Sequence, residues 1–512
     1  MNPTLSTPPR SEAEQIVNLT RELTWARMKI QALEEWIRLE RIRKYGPGSE
    51  KLSNAQLQLL DPEPGVSAAE IEAEASREPL PPSSPVTARS ERKNGSHPGR
   101  QELPAHLPRV ERTIAGTLEQ CVCKSRGKDT VVVGHERSEQ LDVEPARYFV
   151  SVTRREKRAC RDCAEGVSAA QLPERIIEKG LVGDGIVIDT VVSKYCDHLP
   201  LYRQSVILER DAGVLISRAT MDGWVMQVGA MLTPVAAAIG REIIGGGYIQ
   251  ADETPVPVQM HDNRGKNYQA YLWQYGVPGG SVVFDFRMGR GREGPKNFTG
   301  QFEGILQTDG YTAYDHTGGP KIVHAACRAH ARRKIYDALK LSPDDRAARQ
   351  LVERIDELFA VDAEARRAGM DHAARHALRG ERSALVIDLL KKEMEAAQVA
   401  ALPASALGKG IAYTLSLWHK LTRFQFHPEL ELSTNLAENS MRPVVLGRKN
   451  WIHVGSEEAG PKVAAILSAI ESCRRLKLPV RDYLAAILPG LANLSIKRVS
   501  QFTPAAWAAS RS

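Results

Sequence analysis

At 512 residues the chain is long enough for two to four domains with sizeable cores, and its 42% hydrophobic content is ordinary for a soluble globular protein. No uninterrupted apolar run approaches the roughly 18–20 residues of a membrane span, 228–240 being the nearest. The opening MNPTLSTPPRSEAEQ lacks the basic start and apolar core of a secretory signal, so a cytoplasmic protein with no membrane partner is expected. The net charge of +7 permits a polyanionic partner without requiring one, and basic residues cluster at 154–158, 332–334, 448–449 and 474–475. Seven cysteines, an odd number spread over a long chain, argue against a disulfide scaffold and for reduced thiols or a metal site.

Residues 11–45 read as a helix. Ile16, Leu19, Leu23, Ala26, Ile30, Leu33 and Ile37 recur in 3,4 spacing and form an a/d seam over about three heptads, which Trp25, Trp36 and Leu39 widen. This is either a dimerising coiled coil or an amphipathic helix packed on its own protein. Gly46, Pro47 and Gly48 end it, giving a first segment of 1–47. Residues 48–110 form a linker, rich in Pro, Ser, Glu and Arg from position 60 and expected to be disordered. Its second half carries Arg89, Arg92, Lys93, Arg100 and Arg109, a basic arm able to lie along phosphates or a simple solvated tether.

Residues 111–165 hold Cys121 and Cys123, then Cys160 and Cys163, with short strands expected at 130–133 and 147–153. Four thiolates in two knuckles suit a tetrahedral structural Zn²⁺, although the C-x-C of the first pair is tighter than an ordinary knuckle. The other reading is a small β-domain with incidental cysteines. Residues 166–240 read as helical: 200–210, a turn ending at Gly213, then 217–228 with Ser217 as N-cap. Helix, short turn, helix fits a helix-turn-helix DNA reader and equally an ordinary helical bundle.

From 246 the pattern changes. Segments 247–252, 268–275 and 281–286 are β-rich, a helix follows near 296–302, and further strands are expected at 304–309 and 321–325. This succession predicts a mixed α/β sheet. Residues 343–425 are strongly helical, with Leu351, Ile355, Leu358 and Phe359 on one face. Helices are expected again at 434–447 and 461–475, and the tail from 495 reads as irregular.

Two acidic residues close apolar strands: Asp252 in IQADETP and Asp309 in LQTDGY. Strand ends near the centre of an α/β sheet are where carboxylates can converge, and hard cations such as Mg²⁺ bind a few carboxylate oxygens while keeping waters. Two such ions support in-line phosphoryl displacement, for which a third carboxylate is needed. Glu438, at the start of a helix, is the candidate; the competing reading makes Asn435 an N-cap and Glu438 its capping-box partner. Arg442, Arg448 and Lys449 lie nearby as phosphate contacts or as a solvated basic face. Trp451 is either a stacking platform or a core residue.

The segments ADETPV, TDGYTAY, CRAHARRK, NLAENSMRPVVLGRKNW and SKYCDHLPLYRQS resemble the insertion sequence 66 family of bacterial transposases. The resemblance spans most of the chain, from the zipper-like helix through the linker and cysteine-containing domain to a short C-terminal segment. It implies an RNase H-like catalytic domain over about 241–460, with the helical region 343–425 as an insertion, followed by a C-terminal segment 461–512. It also implies a catalytic, Mg²⁺- or Mn²⁺-binding triad of Asp252, Asp309 and Glu438. Ser433 and Thr434 stand where the family usually has Asp and Asn, and Asn439 where it often has Arg; neither change removes a triad carboxylate. Cys327 and His330 form a C-x-x-H that recurs in related transposases, either organising the junction with the insertion, touching DNA, or being a packed Cys beside a surface His.

The expected function is metal-dependent cleavage at transposon ends and strand transfer into target DNA. Expected partners are terminal-repeat and target DNA, further copies of the chain, and helper proteins of the same element. The rivals are a DNA-binding protein with an inert triad and an RNase H-fold nuclease without strand transfer. Cleavage separates the first rival from the enzymes, and joining separates the second.

Overall fold

The computed structural model describes residues 148–154, 157–159, 167–169, 171–178, 180–260 and 267–511, together with the helical positions Thr20, Leu23 and Ile30. The rest of the seam at 11–45, the linker, and Cys121, Cys123, Cys160 and Cys163 lie outside these residues. The chain divides into two compact units, 84–154 and the remainder. Residues 148–154 of the first form no strand where one was expected at 147–153.

From residue 155 on, the described residues of the larger unit open with a two-stranded antiparallel sheet, β1 (Lys157–Ala159) and β2 (Val167–Ala169). Three helices follow: α1 (Asp184–Tyr195), α2 (Leu201–Ala212) and α3 (Arg218–Ile244). Gly213, at φ 65°, ends α2 in the left-handed conformation that glycine tolerates, and Ser217 caps α3 by accepting from the Thr220 N–H, as its sequence position predicts. Strands β3 (Tyr248–Val258), β4 (Tyr268–Gly276) and β5 (Val282–Arg287) come next, then α4 (Glu293–Thr299), β6 (Ile305–Thr308) and β7 (Val323–Ala326). A helical block comprises α5 (Arg328–Leu341), α6 (Arg346–Arg367), α7 (His372–Leu378), α8 (Ala384–Ala400), α9 (Ala406–Ser416) and α10 (Trp418–Leu421). The chain closes with α11 (Asn435–Trp451), α12 (Ala459–Arg475), α13 (Val480–Ile487) and α14 (Pro504–Ala509). Thr503 caps α14, so the tail is partly helical rather than irregular.

Helix α3 is longer than the sequence reading made it. Its 27 residues bury Met221, Val225, Val228, Leu232, Val235, Ile239 and Ile243 at helical spacing. By length and hydropathy alone it is sufficient to cross a membrane, but 56% of its apolar window is buried within the protein, as in a core helix. It packs on α12, and Gly229 permits the close approach: a Cβ there would lie 2.8 Å from the Lys462 carbonyl oxygen.

The sheet is five-stranded, in the order β5-β4-β3-β6-β7. β4 runs antiparallel to both neighbours, whereas β3, β6 and β7 are mutually parallel. β3 does not stop at Asp252. It continues to Val258 because β4 pairs with it throughout, from Gln250 opposite Gly276 to Val258 opposite Tyr268. β6 pairs with β3 only over Tyr248–Gln250. Beyond that point one edge of β3 is open to other partners, and Pro255 and Pro257 sit where the missing N–H breaks no ladder with β6. On the opposite side, α12 covers the edge of β5. Ser472 Oγ accepts from the Val282 N–H at 3.0 Å and Ser468 Oγ from the Phe284 N–H at 2.8 Å, which satisfies an otherwise unpaired strand edge.

The helical block begins at Arg328, earlier than 343, and shares a core with the sheet through Tyr248, Ile305, Ala325, Ile335, Leu351, Ile355 and Phe424. Inside it lies a buried ionic hub. Asp362 binds Arg375 at 2.8 Å and Arg379 at 2.6 Å, and Arg375 also binds Glu431 at 3.0 Å. Arg379 further donates to the carbonyls of Phe424 and Leu430. The chain leaving the block is then fixed to the sheet. Gln307 Nε2 donates to the Glu431 carbonyl at 2.7 Å, Gln250 Nε2 to the Ser433 carbonyl at 2.9 Å, and the Arg328 N–H to the Leu432 carbonyl at 2.8 Å. These bonds determine where α11 starts.

Candidate active site

Asp252 and Asp309 are neighbours because of strand register. Gln250 is aligned with Gln307 on the parallel pair β3–β6, so two residues further on the two aspartates lie side by side. The Asp252 side chain accepts from the Glu253 N–H at 2.8 Å, and Asp309 from the Tyr311 N–H at 2.8 Å, each through Oδ1. Gly310 makes the turn after Asp309 at φ 94°; a Cβ there would also meet Leu417 at 2.4 Å. The Asp309 carbonyl accepts a hydrogen bond from Tyr413 of α9, which ties the helical block to this turn.

Glu438 lies in the first turn of α11. The capping-box arrangement is not formed: α11 begins at Asn435, Thr434 occupies the N-cap position, and no side chain caps it. The Glu438 carboxylate instead faces α5, with Oε1 3.6 Å from His330 Nε2 and Oε2 3.5 Å from Arg333 Nη2. Oε1 is buried and makes no hydrogen bond.

Electrostatics register the convergence. Burial, then the charges of Glu438 and Glu253, with a further contribution from Asp309, push the Asp252 carboxyl up to about 8. Glu253, on the other face of β3, is also raised by burial. Hydrogen bonds from Arg290 at 2.6 Å and Tyr314 Oη at 2.8 Å act against that shift. His330 is lowered by burial, but Cys327 and Glu438 outweigh this and bring it to about 10.

The basic candidates part company. Arg448 donates to Thr254 Oγ1 at 3.0 Å and to the Pro255 carbonyl, fastening α11 to the free edge of β3, and burial lowers its pKa. Arg442 is half-buried on α11 and Lys449 is exposed. Trp451 is half-buried beside Lys194, whose ammonium lies 6.0 Å from its ring. Sequence reasoning passed over Glu253, Arg290, Tyr314 and Arg333. For the tyrosine the signal was in TDGYTAY, where Tyr314 ends a 3-10 turn shortly after Asp309; for Arg290, stacked 4.1 Å over the Tyr311 ring, no sequence pattern existed.

A family model described as "Transposase IS66 family" matches residues 179–462, more than half of the chain and all three carboxylates. The chain belongs to the IS66 family of transposases. Two further IS66-associated models match in order: a leucine-zipper-type model described as "Transposase C of IS166 homeodomain" at 32–112, and "zinc-finger binding domain of transposase IS66" at 120–164. The second contains Cys121, Cys123, Cys160 and Cys163. Two relatives are uncharacterized proteins of Sinorhizobium fredii. One, y4qI, is 32% identical over 500 residues, covering 94% of this chain and 87% of its own length. The other, y4jD, is 32% identical over 452 residues, covering 83% and 87%. The protein is therefore a DNA-binding transposase with zipper-like and zinc-finger-like regions ahead of its catalytic-family domain.

Proposed function

We propose that this IS66-family transposase cuts DNA at transposon ends and joins the released 3′-hydroxyl to target DNA, using Asp252, Asp309 and Glu438 as its catalytic carboxylates. The observation that carries the reading is their placement. Asp252 on β3 and Asp309 just past the end of β6 each stand two residues beyond the last registered pair of these adjacent parallel strands, Gln250 and Gln307, and the charge of Glu438, brought in by α11, bears on Asp252. A strand order of β5-β4-β3-β6-β7 with β4 alone antiparallel supports assignment to the RNase H-like class, with the block from α5 to α10 as an insertion between β7 and α11.

The donor set fits a hard divalent cation. It is all oxygen, it includes the half-buried Asp252 carboxyl whose neighbours disfavour its ionisation, and Glu438 Oε1 is buried without a hydrogen bond. Asp252, Asp309 and Glu438 would hold Mg²⁺ or Mn²⁺, which when bound lowers the pKa of an attacking water or hydroxyl and neutralises charge on the phosphate. The backbone N–H of Glu253 and that of Tyr311 fix the two aspartates by one oxygen each and leave the other for a ligand. His330 and Arg333 hold Glu438 from the α5 side. In the amino-terminal part, Cys121, Cys123, Cys160 and Cys163 would hold a structural Zn²⁺. The substrates are terminal-repeat and target DNA, and pairing two ends requires a multimer.

The test is cleavage and joining of the element's own ends by purified protein in Mg²⁺. Asp252→Asn and Asp309→Asn should lower both by several orders of magnitude while DNA affinity survives, because that affinity rests on cationic phosphate contacts. Glu438→Gln should do the same with α11 intact. A Glu438→Gln protein that still cuts would remove Glu438 from the triad, and cleavage without joining would leave only a nuclease.

A further inference from the structure

We propose that Cys327, His330 and Glu438 form a second, soft-donor metal site that takes a thiophilic ion such as Zn²⁺, and that filling it disables the carboxylate pocket by withdrawing Glu438. The site itself stands on geometry alone; its inhibitory effect rests on the catalytic role proposed for Glu438.

Cys327 is the N-cap residue of α5 and His330 lies in that helix's first turn, so the C-x-x-H spacing sets a sulfur and an imidazole together at one helix start. Glu438 arrives from the first turn of α11. One ligand atom from each lies within 4.8 Å of the other two. A tetrahedral zinc with bonds of about 2.3 Å to sulfur and 2.0–2.2 Å to nitrogen and oxygen sets its donors roughly 3.3–3.8 Å apart. Small torsions of His330 and Glu438, which lie at the half-buried rim, close the remaining ~1 Å.

Two of the three side chains carry a buried polar atom without a hydrogen bond. His330 Nδ1 and Glu438 Oε1 are both buried without a hydrogen bond of ordinary geometry, a costly state for polar atoms unless a ligand completes them. Cys327 Sγ is fully buried and accepts the Thr434 N–H at 3.2 Å. Thr434 is also the N-cap residue of α11, so the same bond locks the two helix starts together. Binding would release the Cys327 proton and any proton on His330 to solvent. Sulfur and imidazole select Zn²⁺ over Mg²⁺, whereas the neighbouring carboxylates select the reverse, so adjacent sites of opposite preference share one carboxylate.

The experiment compares metal stoichiometry in the full chain with that in Cys327→Ala and His330→Gln, using Zn²⁺ and, as spectroscopic probe, Co²⁺. Zinc held by Cys121, Cys123, Cys160 and Cys163 is common to all three proteins and cancels in the difference. The parent should bind one equivalent more than either variant, with additional thiolate-to-cobalt absorption that Cys327→Ala lacks. Should the buried Cys327→Ala fail to fold, His330→Gln carries the comparison. In the parent, Zn²⁺ added to Mg²⁺-supported reactions at ten times the Kd of that extra equivalent should lower cleavage by about tenfold. Equal stoichiometry in parent and His330→Gln overturns the soft site and leaves the triad untouched. An extra equivalent that does not slow cleavage overturns the shared-carboxylate inhibition and removes Glu438, not the soft site, from the account.

Discussion

Asp252 sits in the middle of β3, half-buried and close enough to Glu438 and Asp309 to feel their charges, and those surroundings bring its pKa to about 8. In the unfolded chain the same group ionises near 4. Between those values the folded protein holds a proton that the unfolded chain has lost. The stabilisation is therefore complete below about pH 4 and disappears as pH rises through about 8. At ~1.4 kcal/mol per pH unit, the total is on the order of a few kcal/mol. Metal-free protein should thus melt at progressively lower temperature between pH 5 and pH 8.5, and Asp252→Asn, which cannot ionise, should melt with a flatter slope. Parallel slopes for the two proteins would mean that Asp252 is ionised across the whole range. Added Mg²⁺ should raise the parent's Tm more at pH 8.5 than at pH 5, since a cation favours the ionised form.

At the scale of elements, the sheet was legible because its strands are apolar runs divided by turn residues, and β6 carries Asp309 directly after its last residue as read. What was not legible depends on contacts distant in sequence. β3 runs past Asp252 because β4 pairs with its outer half. The helix start at Asn435, which cancels the capping box, is set by Gln250 and Gln307 reaching from the sheet to the carbonyls of Ser433 and Glu431. The helical block was recognisable from its periodicity, but its anchoring was not, since Asp362, Arg375, Arg379 and Glu431 are four charges that composition alone assigns to the surface. They are buried, and that yields an element-scale expectation. Arg379→Met leaves Asp362 with a weakened partner set and removes donors from Phe424 and Leu430, so unfolding free energy should fall by roughly 3–5 kcal/mol. Hydrogen exchange should quicken along 424–434, the segment that leads into α11. Arg382→Ala, which breaks the exposed pair with Glu364, should change stability by less than ~1 kcal/mol. Equal effects from the two would deny the hub its anchoring role.

Across the whole molecule, under the proposed function, the carboxylate site, the cysteine-bearing region and the N-terminal seam take separate parts in transposition, and only the first lies in the span 179–462 matched by the transposase family model. Cutting needs one DNA end in one active site. Joining two ends of an element to one target needs at least two active sites held at fixed separation, and nothing in the chemistry of Asp252, Asp309 and Glu438 supplies that. The 3,4-spaced seam at 11–45 is the segment suited to it, because an a/d stripe buries its apolar face best against another such helix. Leu23 and Ile30, both seam positions, are helical and exposed, at 53% and 56%. Removing residues 1–47 should therefore leave a folded protein of lower oligomeric state by light scattering. That protein should still nick single ends in Mg²⁺ but should lose concerted joining of two ends by a far larger factor than it loses nicking. If the truncated chain keeps the parent's oligomeric state, the seam packs within its own protein and the assembly contact lies elsewhere. If it keeps joining as well, pairing of ends is carried by the DNA-bound domains alone.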